Sequence, residues 1–279
     1  MKGKRWTVPS AVRFAVLVLI ALVQLFPLYW LFTFSLKSNS EIFDPTRVLG
    51  LPQTWRFENY ASALLGGGIL RYFLNSVVYT AVAVILSDIL AAMAAYAIAR
   101  MRWKLSRAAY IVFNLGLMIP TQATLLPLFL LMDKFNLRYG YLGLSIPYTV
   151  FAIPMTVMIL FGFYRSIPRD IEEAAYMDGC GIFRMFFRII LPIVKPAIST
   201  ASIFAFLGTW NELLFANTLV DDQKFKPLTV GIMSFVGEHN TDWGIIGAGM
   251  VIATLPAILI YGVLSEKIQD SLIVGAVKG

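Results

Sequence analysis

The sequence EEAAYMDG at residues 172–179, followed by IILP at residues 189–192, lies between two long apolar segments of the chain. Its acidic residues stand at the start of a helix-forming run, where the helix dipole favours negative charge. Alanines extend that run, and Gly179 is a natural C-terminal stop. A charged, helix-forming insert in a chain that otherwise suits lipid predicts a contact with a soluble partner.

The composition of the whole chain indicates a membrane protein. Of its 279 residues, 58% are hydrophobic and 14% are charged, whereas soluble domains carry roughly a quarter charged residues. The formal charge of +7 is spread over short loops and forms no single basic patch, so no nucleic-acid partner is expected. A single cysteine and a single histidine leave no intrachain disulfide and no His/Cys metal site to build.

Six apolar segments are long enough to cross a membrane, which takes about 20 residues of helix. They predict an all-α polytopic protein with one transmembrane domain over residues 1–279. The first segment has no small-residue cleavage site, so we interpret it as an uncleaved span and not as a secretory signal. The predicted spans cover residues 12–36, 73–99, 108–132, 142–164, 197–220 and 244–264.

The basic residues orient these spans. Most lysines and arginines lie in loops on one face of the predicted topology, and such loops are normally cytoplasmic. This rule places both termini, the loop near Arg100, the insert at residues 165–195 and the tail at residues 265–279 in the cytoplasm.

The insert itself is predicted to contain two short helices. Ser166 could cap the first helix and Pro168 suits its first turn; the second helix has an apolar side and ends at Pro192. A helix lying in the lipid headgroups would explain the second half. It would not explain the first half, because acidic side chains face anionic lipid unfavourably.

The spacing of the insert resembles the signature loop of the permease subunits of bacterial ABC importers. The residues that carry this resemblance are Glu173-Ala174-Ala175, Gly179, Ile189 and Leu191-Pro192. The resemblance implies a type I ABC importer permease with a coupling helix between spans 4 and 5 that docks on a cytoplasmic ATPase dimer. The residues expected at that contact are Glu172, Glu173, Ala174, Ala175, Asp178, Gly179, Ile189, Leu191 and Pro192.

Shorter motifs resemble the sugar-importer branch of these permeases, in particular the shorter subunit of a heterodimeric permease of the maltose and oligosaccharide type. They are Asn75-Ser76, Ala94–Ala97 with Arg100, Pro120-Thr121-Gln122, Trp210-Asn211-Glu212 and Gly275–Gly279. The resemblance implies a bacterial cytoplasmic membrane, a companion permease subunit and an extracytoplasmic sugar-binding protein. It also implies that the tail contacts the ATPase; a disordered tail is the alternative.

Polar residues within the spans are candidates for a substrate pathway. Trp210, Asn211 and Glu212 offer an aromatic face, an amide and a carboxylate, a combination that suits sugars; contact between helices is the alternative. Asn75 is a further candidate for the pathway, because it belongs to the Asn75-Ser76 motif. Asp88 lies deep in the second span. Its role could be a hydrogen bond to a neighbouring helix or a proton relay, and the sequence leaves both alternatives open.

No phosphate-binding loop of the Gly-x4-Gly-Lys-Ser/Thr type occurs in the sequence, so we expect ATP to be bound by the partner ATPase, with no catalysis and no cofactor in this chain. The single cysteine and histidine predict no metal site. The sequence therefore predicts half of the translocation pathway of an ATP-driven carbohydrate importer. An ion-coupled secondary transporter that uses Asp88 or Glu212 is the alternative, and a membrane anchor without transport is a third possibility.

Overall fold

The computed structural model describes residues 8–237 and 241–276, with side chains described for residues 11–237 and 241–263. Every regular element within those ranges is helical, and none is a strand. The all-α prediction is therefore confirmed. A helix satisfies its backbone N–H and C=O groups internally, which is what a chain in hydrocarbon requires.

The helices follow one another in a simple order along the chain. They are α1 (Val8–Ser35), α2 (Asn39–Ile42), α3 (Glu58–Ala61), α4 (Ile69–Arg100), α5 (Ser106–Met118), α6 (Leu125–Lys134), α7 (Leu142–Ser166), α8 (Asp170–Met177), α9 (Ile182–Met185), α10 (Leu191–Ile193), α11 (Lys195–Trp210), α12 (Leu214–Leu219), α13 (Leu228–Met233) and α14 (Trp243–Ala276). Two π-helical turns, Ser62–Gly66 and Phe186–Ile190, and a 3-10 turn, Thr121–Thr124, complete the described elements.

Four described helices, α1, α4, α7 and α14, are long and apolar enough to cross a membrane. They lie where the sequence predicts the first, second, fourth and sixth spans. Two bent helix pairs would raise the number to six if each pair is one span. Helix α14 continues to Ala276, so most of the predicted tail at 265–279 has helical backbone; residues 277–279 lie outside the described ranges.

The third predicted span, 108–132, differs from a single continuous helix. Helix α5 ends at Met118, and the following helical segment from Thr121 to Lys134 turns away by 94°. Pro120 lies at the break. Because a proline disfavours helical backbone in the residue before it and cannot donate an N–H, Ile119 is extended, with ψ 119°.

The fifth predicted span, 197–220, is also interrupted. Helix α11 ends at Trp210 and α12 begins only at Leu214. At its other end α11 turns by 76° relative to the segment Ile182–Ile193. Among the described residues, the predicted fifth span is thus a helix of 16 residues followed by one of 6.

The described residues form two compact units, and the single domain over residues 1–279 stays a prediction. The first unit comprises Met1–Ile69 and Ile232–Thr254, and the second comprises Leu70–Gly231 and Leu255–Gly279. Each unit contains buried residues of its own.

A folded loop between α1 and α3 characterises the first unit. Lys37 is 2% exposed, and its Nζ donates to the carbonyls of Arg47 at 2.8 Å and Val48 at 3.1 Å. Glu41 accepts backbone N–H bonds from Ser38 at 3.2 Å and Gln53 at 2.8 Å. Burial alone would raise the pKa of Glu41, but these hydrogen bonds and the nearby Lys37 charge lower it overall.

Residues of α4 and α7 share one buried cluster in the second unit. Ala91, Ala92 and Ala95 on α4 are buried, and small residues let helix backbones approach each other. The hydroxyl of Tyr164 on α7 donates to the Ala92 carbonyl at 3.2 Å. These contacts fix α4 and α7 beside the insert. A separate buried cluster holds Tyr79, Leu144, Tyr148, Phe215, Ala216 and Leu219.

Candidate functional site

The first half of the insert is the acidic helix α8. Its first turn carries Asp170, Glu172 and Glu173, as the helix dipole favours. The predicted start is wrong by a few residues. Ser166 is the last residue of α7, and its hydroxyl donates to the Phe163 carbonyl at 2.8 Å instead of capping α8.

Gly179 ends α8 in the way that the sequence predicts. It has a φ of +75°, a left-handed conformation that glycine adopts without steric cost. The Gly179 N–H donates to the Tyr176 carbonyl and the Cys180 N–H donates to the Ala175 carbonyl, both at 2.9 Å. This pair of bonds is a Schellman motif, and it satisfies two carbonyls at the end of the helix.

The predicted contact residues of α8 divide between two sides of the helix. Ala175 is 7% exposed and packs in the core, and Glu172 is turned toward α4. The exposed side combines apolar and acidic side chains: Tyr176 is 74% exposed and Met177 is 84% exposed. The exposed residues of this segment are Glu173, Ala174, Tyr176, Met177, Asp178 and Gly179. Together these residues form the exposed surface of α8 and of the turn that follows it.

Glu172 forms an ion pair with Arg100, the last residue of α4. Its Oε2 lies 2.6 Å from Nη2 and 2.8 Å from Nε of Arg100. The same guanidinium donates from Nη1 to the carbonyls of Tyr164 at 3.2 Å and Ile167 at 2.9 Å. The two side chains are only 5% and 16% exposed. This pairing gives Glu172 a partner within the chain.

The second half of the insert contains α9, a π-turn and α10. Met185, Phe186 and Ile190 are buried, and Ile189 and Leu191 are partly buried against the same core. The π-turn directs the Leu191 N–H to the Phe186 carbonyl, one residue before Pro192, which has no N–H to donate.

The predicted end of this helix at Pro192 is early by one residue. Helix α10 continues to Ile193, and the chain bends at Val194. Pro192 itself is exposed, and it sits in the first turn of α10, where a missing N–H is tolerated.

A cavity of about 540 Å³ opens where α11 is interrupted. A volume of this size is ordinary for a small-molecule site. Its polar lining is formed by Thr121, Gln122, Tyr148, Thr209, Asn211 and Glu212. Its apolar lining includes Phe151, Met155, Phe204, Leu214 and Phe215. The breaks in the third and fifth predicted spans therefore meet here, since Thr121 and Gln122 follow Pro120 and the others belong to α7 or to the α11–α12 region.

Glu212 maintains the break between α11 and α12. Its Oε1 accepts from the Phe215 N–H at 2.9 Å, and its Oε2 accepts from the Ala216 N–H at 3.0 Å and the Tyr148 hydroxyl at 2.8 Å. The carboxylate therefore satisfies N–H groups at the start of α12 that have no partner within the helix. Glu212 lines the cavity, but its hydrogen-bonding capacity is largely used by the protein.

Trp210, Asp88 and Asn75, which the sequence also predicts for the pathway, are not part of the cavity lining, whereas Asn211 is. Trp210 is 5% exposed and packs edge-on against Phe73, with ring centroids 5.6 Å apart, and stacks on Phe206 at 5.5 Å. Asp88 accepts a hydrogen bond from the Ser202 hydroxyl on α11. For Trp210 and for Asp88 the structure therefore shows contacts between helices, which is one of the two alternatives that the sequence leaves open for each residue.

Asn75 binds the loop at residues 224–226 of the second unit through hydrogen bonds. Its Nδ2 donates to the carbonyls of Lys224 at 2.8 Å and Lys226 at 2.9 Å, and its Oδ1 accepts from the Tyr141 hydroxyl at 2.7 Å. Asn75 is 2% exposed, so its amide is occupied by the fold.

The sequence alone assigns no individual role to three residues of these sites. Gln122 and Arg100 stand in motifs that carry the resemblance, and Tyr148 lies in an apolar run. The proline before Gln122 signals a break. For Tyr148 and Arg100 there is no local signal, because their partners are 64 and 72 residues away. Among the described residues no group of three or more His, Cys, Asp or Glu could hold a metal ion.

Comparisons with known proteins agree with this architecture. Residues 87–273 match the family described as "Binding-protein-dependent transport system inner membrane component". The chain is 37% identical to the diacetylchitobiose uptake system permease protein NgcG of Streptomyces coelicolor, over 94% of this chain and 87% of that one. It is 33% identical to the trehalose transport system permease protein SugB of Mycobacterium tuberculosis, over 91% and 93%.

A solved structure shares the fold. It is that of a bacterial ABC transporter involved in the import of the acidic polysaccharide alginate, with a TM-score of 0.82 and 23% identity over 95% of this chain and 98% of that one.

Proposed function

The chain belongs to the family of inner-membrane components of binding-protein-dependent transport systems, and we propose that it forms half of the translocation pathway of an ATP-driven carbohydrate importer. As a multi-pass ABC transporter permease, it works with an ATPase and a substrate-binding protein. Carbohydrate is the inferred cargo because relatives that align over most of their length are named for diacetylchitobiose and trehalose uptake.

The observation that carries the coupling role is the exposed side of α8. A helix between two apolar segments that exposes Tyr176 by 74% and Met177 by 84% leaves two adjacent large side chains uncovered, and adjacent exposed apolar groups are a feature of interaction sites. Glu173 and Asp178 flank that area, so the surface fits an ATPase groove with an apolar floor and basic edges better than anionic lipid. The lever that moves the spans would be α8.

The cavity is the inferred path for the sugar. Its described lining offers hydroxyl and amide groups on Thr121, Gln122, Thr209 and Asn211, which can hydrogen-bond to sugar hydroxyls. Phe151 and Phe204 supply apolar faces for C–H groups. The one carboxylate of that described lining, Glu212, is held by Tyr148 and the start of α12, so an uncharged sugar matches this half of the path.

The remaining partners follow from the same proposal. A companion permease subunit completes the pathway, an extracytoplasmic binding protein delivers the sugar, and an ATPase dimer binds and hydrolyses ATP, so that this subunit is not catalytic and holds no cofactor. Both termini and the insert face the cytoplasm, as the positive-inside rule predicts. No observation favours the ion-coupled alternative: Asp88 contacts Ser202, and Glu212 caps α12.

The proposal is tested with the complex in proteoliposomes. We expect uptake to require ATP, and Glu173→Lys to reduce both ATPase co-purification and uptake while the permease still inserts in the membrane. Glu58→Lys is a matched control, since Glu58 is also an exposed glutamate in a first helical turn. Uptake that persists without ATP and follows a pH gradient would contradict the importer; unchanged co-purification of Glu173→Lys would contradict docking through α8.

A further inference from the structure

We infer that Arg100 is the joint through which movement of α8 reaches the membrane-spanning helices α4 and α7. The inference rests on the proposed docking of α8 to an ATPase, and it assigns the transmission of that movement to one side chain. Arg100 is a positioning residue, because it would contact neither ATP nor sugar.

The joint consists of one guanidinium, carried by α4, that binds α8 and the end of α7. Arg100 is the last residue of α4, Glu172 lies in the first turn of α8, and the carbonyls of Tyr164 and Ile167 lie at the end of α7. Two nitrogens, Nε and Nη2, bind Glu172, and the third, Nη1, donates to the two carbonyls, all within 3.2 Å. The carbonyls at the C-terminus of α7 favour a cation through the helix dipole.

The chemistry of this contact makes it stiff. Nε of Arg100 donates a charge-assisted hydrogen bond to Glu172 Oε2, and Nη2 lies 2.6 Å from the same oxygen, so the two charges are held at a short distance. Because the Arg100 side chain is 5% exposed, pulling Glu172 away would leave a buried charge without its partner, which is strongly unfavourable. A lysine could keep the charge but could not bind Glu172 and two carbonyls with one planar group. Displacing α8 is therefore expected to carry the ends of α4 and α7 with it.

A second contact beside the joint supports the same connection. Tyr96, one turn before Arg100 on α4, packs on Tyr164 of α7 at 5.7 Å between ring centroids and on Phe186 of the insert at 5.1 Å. The insert is therefore attached to α4 and α7 through an aromatic cluster as well as through the ion pair.

Helix α7 connects this joint to the cavity. Tyr148 lies 16 residues before Tyr164 on the same helix, about 24 Å along its axis, and its hydroxyl donates to Glu212 at 2.8 Å. Phe151 and Met155 of α7 also line the cavity. A shift at the α7 C-terminus can thus change the cavity wall.

The first experiment measures sugar transported per ATP hydrolysed in proteoliposomes that contain the whole complex. We expect Arg100→Gln and Glu172→Gln each to keep the ATPase bound but to lower this ratio about fivefold or more, the lower end of typical coupling between sites. The double variant should resemble either single one, because the pair acts as a unit. Arg102→Gln, an exposed arginine two residues on, is the matched control and should keep the wild-type ratio.

The second experiment measures whether the ends of α4 and α8 stay at a fixed distance. Spin labels at Met101→Cys and Asp170→Cys, in a Cys180→Ser background, report the distance between the ends of α4 and α8 by pulsed electron paramagnetic resonance. We expect one narrow distance distribution with and without ATP when Arg100 is present. Arg100→Gln should broaden the distribution or shift it on ATP addition. Arg100→Lys should give an intermediate result and provides a folded variant if the glutamine variant expresses poorly.

The outcomes separate this inference from the proposed function. If the wild-type permease does not bind an ATPase, the proposed function is wrong. If the ATPase binds and the wild type transports, but Arg100→Gln keeps the wild-type ratio or the wild-type distance distribution, the joint is wrong and docking stands. Loss of ATPase binding in Arg100→Gln with an unchanged distance distribution would also contradict the joint, because Arg100 would then belong to the docking surface.

Discussion

Replacing Glu212 with alanine tests whether this carboxylate maintains the fold or binds sugar. The substitution removes the acceptor for two N–H groups of α12 and for the Tyr148 hydroxyl. Loss of a helix cap costs about 1 kcal/mol. Tyr148 is 4% exposed, and a buried hydroxyl left without a partner costs about 1–3 kcal/mol. The expected loss of stability is therefore about 2–4 kcal/mol.

The assay is thermal unfolding of the purified complex, with transport kinetics measured in parallel. A loss of this size lowers Tm by roughly 3–7 °C in a chain of this length. Tyr148→Phe combined with Glu212→Ala should lose less than the sum of the two single variants, because no hydroxyl is then left unpaired. Asn211→Ala is the control: Asn211 is exposed and its side-chain amide donates within its own helix, to Leu207, so its Tm should stay near wild type.

The opposite pattern would refute the reasoning. If Glu212→Ala leaves Tm unchanged and raises the KM for sugar selectively, the carboxylate contacts the sugar and its bonds to α12 contribute little. If the double variant with Tyr148→Phe loses the full sum, the Tyr148–Glu212 hydrogen bond carries no coupling energy.

Three further changes have defined expectations. Trp210→Ala should lower stability by about 3 kcal/mol, since a buried aromatic side chain leaves a cavity, while the KM for sugar stays unchanged; thermal unfolding and uptake measure the two effects. Gly179→Ala should destabilise the end of α8 by about 1 kcal/mol, because φ is +75° and a left-handed conformation is costly for alanine; weaker ATPase co-purification would report it. Because the folded-state pKa of Glu41 is lowered, its contribution is present above the ordinary value of 4.5 and is lost as the pH falls through the folded-state pKa. The protection factors of the amides in residues 38–53, which correct for the intrinsic pH dependence of hydrogen exchange, should therefore fall at low pH, and Glu41→Gln should remove that dependence.

Local sequence signals predict the elements whose causes are local. Apolar runs of about 20 residues locate the long helices, and a glycine after an acidic, alanine-containing run locates the end of α8. The proline in the third span marks a break in the helix. The angle of 94° between the two helical segments depends on packing and is not given by the proline. No proline or glycine lies between Trp210 and Leu214; at this break a carboxylate, Glu212, caps the start of α12 through the Phe215 N–H.

Side-chain directions cannot be predicted in the same way, because they depend on partners far away in the chain. Glu172 and Glu173 are identical in type and adjacent, yet successive residues on a helix point about 100° apart. Only the presence of Arg100, 72 residues earlier, determines which of them is turned inward. The same applies to Trp210 and Glu212, which lie two residues apart and belong to an apolar pocket and to the cavity, respectively.

Glu172 and Glu212 are both bonded to other groups of this chain, whereas Glu173 is exposed, so these carboxylates have different roles. An ionised carboxylate in a poorly hydrated region must be paired or hydrogen-bonded, and Glu172 and Glu212 are each bound by groups of a different helix. Glu173 is left exposed on α8 for a partner, and Thr121, Gln122 and Asn211 provide the uncharged polar lining of the cavity. Under the proposed function, charge would serve the connection between helices and the ATPase contact, whereas neutral groups would recognise a sugar in this half of the pathway. A charged sugar would need its counter-charge from the companion subunit.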